Sequence, residues 1–138
     1  MNKNQLMVAW AIVFLFIISA CQAQDTKERV DWDKLEGYLY QDLRAEHPDK
    51  SEAEIEQAIG YALLQSDNQW ERATVHFKKA VELNPKLHWS WYNLGLINAD
   101  TEEGYNYFKK ATEANPKFSI PYYWMAYYRC RNREDEKA

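Results

Sequence analysis

The sequence predicts an all-α fold, a short α-solenoid of about six helices stacked as hairpins, on three observations. One phrase occurs twice, as FKKAVELNP from Phe77 to Pro85 and as FKKATEANP from Phe108 to Pro116. The two prolines stand 31 positions apart, the scale of one supersecondary unit, which marks a stacked repeat array. Apolar residues recur at helical spacing along most of the chain, and no stretch alternates apolar and polar residues between hairpin turns as strands would.

Residues 1–20 are expected to be a leader. One lysine precedes an uncharged run from Leu6 to Ala20, 15 residues long. That is short of the roughly 20 that span a bilayer, and the small residues Ser19 and Ala20 close it. Residues 21–29 are polar and aperiodic, which suits a tether. The helical domain then covers residues 30–138.

Its first helix is expected at 30–46, with Val30, Trp32, Leu35, Tyr38, Leu39 and Leu43 at helical spacing and Pro48 beyond its end. Ser51 with Glu54 forms a capping box for the second, which carries Ile55, Ala58, Ile59 and Leu63 to about Gln65. "SDNQ" breaks the chain before a third helix at 70–83, with Ala73, Phe77 and Ala80 on one face. A fourth runs over 87–98 with Trp91, Leu94 and Gly95. After "ADTEE" a fifth repeats the face of the third through Gly104, Phe108 and Ala111. The sixth, at 119–133, contains "PYYWMAYY". Hairpins are therefore expected at about 51–85 and 86–116, between atypical terminal helices at 30–46 and 119–133.

"WSWYNLG", followed by Gly104, Phe108, Ala111 and Pro116, resembles the tetratricopeptide repeat (TPR), a helical hairpin of typically 34 residues. The resemblance makes Trp91, Leu94 and Gly95 the signature of a first helix. Gly104, Ala111 and the large Phe108 then belong to its second helix, which Pro116 ends. The preceding unit matches through Ala73, Phe77, Ala80 and Pro85, with Ile59 and Gly60 as counterparts of Leu94 and Gly95. Pro48, Pro85 and Pro116 are spaced 37 and 31 apart, so loops are expected to absorb the irregularity. Tyr40, Leu43 and Pro48 stand where the second helix of a degenerate leading unit would place them. The sixth helix is then a first helix without its mate, as terminal repeats allow.

"ISAC", Ile18 to Cys21, resembles the lipobox of bacterial lipoproteins, which implies acylation of Cys21, for instance by palmitate. Two or more chains give stable anchoring where a single chain does not. In Gram-negative members an aspartate after the cysteine favours the inner membrane. Gln22 stands there instead, which implies the periplasmic face of the outer membrane. An acylated Cys21 leaves Cys130 without an intramolecular partner, so the domain is not stapled by a disulfide. Cys130 is expected to pack at the end of the sixth helix; the alternative is a thiol that pairs with another chain.

Composition and motifs narrow the function. Without residues 1–20 the chain has 16 bases against 21 acids, which disfavours nucleic acid. Eleven of those acids lie in residues 21–57 and are read as solvated helix faces and tether. His47, His76 and His88 lack ligand spacing and sit at helix ends or exposed positions, so no metal is expected. No serine or cysteine sits in a nucleophile motif and no glycine-rich loop could cradle phosphate, so neither an enzyme nor a cofactor is expected. Arg129, Arg131 and Arg133 alternate, do not share a helix face, and suit a helix C-terminus.

The aromatic excess is the remaining signal: twelve of the forty residues from 89 to 128 are aromatic, twice the chain's 15%. In the repeat family the first helices line a groove. Carrying that frame across places Tyr61, Trp89, Tyr92, Asn93 and Leu96 on it, then Ile120, Tyr123 and Tyr127. Amphipathic rings supply large contact area at low entropy cost. Some family members grip a C-terminal carboxylate with basic residues and asparagines. Asn93 holds one such position, but Ile120 and Trp124 stand where bases would be needed, so that clamp is not expected.

The expected function is a lipid-anchored periplasmic adaptor that binds a peptide segment or an envelope protein. The alternative is a self-assembling structural subunit, a homodimer through the aromatic sixth helix.

Overall fold

The computed structural model describes residues 30–66 and 69–135. The chain divides into two compact units, Met1–Leu35 and Glu36–Ala138. In the first, the Asp31 carboxylate accepts the Lys34 N–H at 3.1 Å and its carbonyl accepts that of Leu35, which starts a helix.

The described residues form six helices and no strand: α1 (Trp32–Glu46), α2 (Glu52–Leu64), α3 (Trp70–Leu83), α4 (His88–Ile97), α5 (Glu102–Ala114) and α6 (Ile120–Asp135). Helices α2 and α3 pack as one hairpin and α4 and α5 as a second; α4 also packs on α3, and α6 on α5. The protein is thus a short all-helical repeat array. None of these helices is long and apolar enough to cross a membrane.

Local chemistry explains the boundaries. Ser51 accepts the Glu54 N–H on its hydroxyl while the Glu54 carboxylate accepts the Ser51 N–H at 2.9 Å, the reciprocal box that starts α2. Hydrogen bonds from the Ser51 side chain and then its backbone hold the Glu54 carboxyl below the usual glutamate range. The repeated phrase closes both hairpins alike. The Asn84 and Asn115 N–H groups donate to Ala80 and Ala111, and their side-chain oxygens accept from the Lys86 and Lys117 N–H groups at 3.1 and 3.2 Å. Each asparagine folds the chain back on itself one residue before the helix-incompatible proline.

The core is a ring on a glycine, twice. Phe77 and Phe108 are fully buried. A Cβ on Gly60 would meet the Phe77 ring at 3.0 Å, and one on Gly95 the Phe108 ring at 2.5 Å. Around these rings Ile55, Ile59, Leu94, Ala73, Ala80 and Ala111 lose almost all exposure.

Loops absorb only part of the irregular spacing that the sequence assigned to them. The two linkers of the second hairpin are each one residue shorter than those of the first, and helices take the rest, with 10 residues in α4 against 13 in α2 and 13 in α5 against 14 in α3. The short α4 needs the tight turn 98–101, in which Thr101 donates its hydroxyl to the Asn98 carbonyl at 2.8 Å and accepts the Gly104 N–H at 3.1 Å. Gly104 lies so close to that carbonyl that a Cβ would overlap it.

Candidate functional site

Helices α2 and α4 converge on a groove of about 380 Å³ lined by Gln57, Ala58, Tyr61, Trp89 and Asn93. Tyr61 and Trp89 are half exposed, at 55% and 47%. The Trp89 indole is nevertheless fixed: Phe118 lies 4.6 Å from it, His88 5.8 Å, and Tyr92 meets it edge-on at 5.8 Å. A ring held on one face and open on the other loses little conformational entropy when a ligand covers it. Opposite, the buried Ser90 hydroxyl donates to the Gln57 side-chain oxygen at 2.9 Å. That bond orients Gln57 and leaves its amide N–H groups as donors. The lining is aromatic and amide, without a charge.

Three residues expected on a recognition surface thus meet in one groove: Tyr61, Trp89 and Asn93. Asn93 is 6% exposed and forms the floor rather than the rim. The others do not join them. Tyr92 is half-buried with its ring 5.3 Å from Phe118 and 6.0 Å from Phe108, so it belongs to the packing beneath the groove. Leu96 is half-buried and outside the lining. Ile120, Tyr123 and Tyr127 form a separate exposed patch on α6, where the two tyrosines meet Trp124 edge-on at 5.7 and 6.0 Å. Cys21 lies outside the described residues.

Gln57 and Ala58 went unnoticed in the sequence because polar and small residues carry no aromatic signal. Gln57 could have been found: it stands three residues before Gly60, as Tyr92 stands before Gly95.

Two further expectations need correction. His76 is not at an exposed position: its Nδ1 lies 2.7 Å from the Glu56 carboxylate and its Nε2 3.4 Å from that of Glu36. Nor are all the early acids solvated, since Glu56 is 2% exposed. It also accepts from Lys79 at 2.6 Å, and this bond holds the Lys79 ammonium above the usual lysine range. Arg72 completes the group by donating to Glu36 at 2.8 Å. A carboxylate on a helix reads as solvated unless the residues that neutralise it are known to face it, and these lie 20 and 23 positions away.

Cys130, expected to be packed, is exposed and free. The neighbouring arginines are engaged: Arg129 donates to the Tyr105 hydroxyl with its guanidinium 5.3 Å above that ring, and Arg131 meets Asp100 at 2.5 Å.

Comparison with protein-family models, curated proteins and solved structures finds no match for this chain.

Proposed function

We propose that this protein is a tetratricopeptide-type adaptor, held at the bacterial envelope by lipid on Cys21, that binds an uncharged, extended peptide segment of a partner protein. The observation that carries the reading is the groove in which the fixed Trp89 ring faces Tyr61 across Gln57 and Asn93. Rings give contact area, and amide groups pair with the exposed backbone of an extended chain. The absence of charge from the lining argues against a carboxylate or phosphate ligand. The repeated ring-on-glycine contact and the shared Asn-Pro-Lys closure support the repeat family. The lipid and the periplasmic face rest on the "ISAC" leader and on Gln22.

Affinity capture from envelope extracts with the wild type and with Trp89→Ala tests the groove. A ring that anchors a partner should cost on the order of 2 kcal/mol of binding when removed, with the helical fold intact. Phe108→Ala is the core control, expected to cost about 3 to 5 kcal/mol of stability. If Trp89→Ala captures the same proteins as the wild type, the groove is not the site. Mass spectrometry of the mature protein checks Cys21, and an unmodified cysteine there removes the anchor.

A further inference from the structure

Thirty-one positions carry α4 onto α6: Ser90 onto Pro121, Trp91 onto Tyr122, Leu94 onto Met125 and Gly95 onto Ala126. The two helices are buried alike where each packs on the preceding one, since Ser90 and Pro121 are both fully buried. They are also open alike on the far side, Trp89 at 47% and Ile120 at 44%. They differ on one face. Leu94 and Gly95 are buried under Phe108, whereas Met125 is half-buried, Ala126 exposed and Tyr122 48% exposed. What α4 has there is α5. Among the described residues no helix takes that place on α6.

The two complete hairpins show what covers this face. In each it is a helix with a phenylalanine between small residues, four positions before and three after: Ala73 and Ala80 around Phe77, Gly104 and Ala111 around Phe108. Both covering helices also carry glutamate in the first turn, Glu71 in α3 and Glu102 with Glu103 in α5. In an antiparallel hairpin that turn lies beside the last turns of the first helix. On α6 those turns present Arg129, at helical spacing from Tyr122 and Ala126, exposed and with guanidinium donors beyond its contact to Tyr105. Shape and charge therefore ask for the same helix.

We infer that this face of α6 is a docking site for a helix of another protein, with an aromatic ring between small residues and an acidic first turn. A second copy does not offer one. The rings of α3 and α5 are already fully buried, in α1 the residues at the matching distances from Tyr40 are Glu36 and Leu43, neither of them small, and in α6 Tyr123 stands between Ser119 and Ala126 but the first turn carries no acid. The site is separate from the groove and stands whether or not the groove binds peptide.

The test uses the intact chain and a labelled peptide with the sequence of residues 100–117 as probe. Fluorescence anisotropy should show saturable binding, weakened by about tenfold or more when the peptide carries alanine for its phenylalanine, and again when the protein carries Ala126→Leu. Ala126 is exposed, so unchanged thermal unfolding should confirm that this variant is folded. Three results would overturn the inference: no binding at millimolar peptide; binding that Ala126→Leu leaves intact, which would mean the peptide displaces α5 from α4; or a sedimenting dimer that Ala126→Leu dissolves, which would give the face to a second copy.

Discussion

The two hairpins solve one packing problem with different chemistry. In the first, Glu56 of α2 is held by His76 at 2.7 Å and Lys79 at 2.6 Å of α3. In the second, the equivalent residues are Trp91 of α4 with Tyr107 and Lys110 of α5. The two rings stack at 5.8 Å and the Lys110 ammonium sits 4.5 Å above the indole. A lysine caps both triads, over a carboxylate in one and over a π face in the other. Beneath each triad a phenylalanine lies on a glycine. The backbone geometry fixes where the triad stands, and either an ion-paired set or a stacked aromatic pair under a lysine can fill it.

The largest expected effect is at the shared contact. Gly95→Leu should destabilise by roughly 1 to 3 kcal/mol, because a side chain there drives into the fully buried Phe108 ring. Gly60→Leu should cost less, since its approach to Phe77 is looser by half an ångström, 3.0 Å against 2.5 Å. Urea unfolding of both variants checks the order; the reverse order would mean that the two contacts are not equivalent.

A chemical exchange between the hairpins comes next. Glu56→Trp and His76→Tyr should each destabilise alone, the first by leaving His76 and Lys79 without their shared carboxylate. Together they should recover part of the loss, with a coupling of about 0.5 to 3 kcal/mol in a double-mutant cycle. Strict additivity would show that the triads are not interchangeable.

The smallest effect separates the triads by pH. Burial, then the hydrogen bond to Glu103 at 2.5 Å, pushes the Tyr107 phenol up to about 12. Because the folded value is raised, its contribution is complete below the ordinary tyrosine value, near 10, and is lost as the pH rises through about 12. Phenolate absorbance should therefore show one late-titrating tyrosine, which Tyr107→Phe removes. The equivalent group in the first hairpin, His76, has no phenol to titrate.

Much of this architecture was legible because it is local. The Ser51 and Glu54 box, the prolines that end the repeated phrase and the helical spacing of apolar residues act within a few residues, and the helices follow from them. The groove was half legible: Tyr61, Trp89 and Asn93 follow from the repeat frame, whereas Tyr92 occupies a groove position in the frame and is drawn inward by Phe108 and Phe118. The acids of the first hairpin were misread because burial of Glu56 depends on partners that folding brings from another helix. The shortening of α4 was missed for the opposite reason. The proline spacing shows that residues are lacking, but only the close approach of Gly104 to the Asn98 carbonyl shows where.

Helix α1 buries no side chain, and Glu36 fastens it to α3 through Arg72 and His76. Detaching it exposes the half-buried Leu39, Tyr40 and Leu43 and breaks the charge contacts of Glu36, less than opening a hairpin over a fully buried ring, so its free energy of opening is lower than that of the hairpins. Amide hydrogens along α1 should trade with solvent deuterium through an excursion of their own, while those under Phe77 and Phe108 wait for the whole array to come apart. Because part of the fastening is ionic, this private excursion should grow more frequent as ionic strength rises.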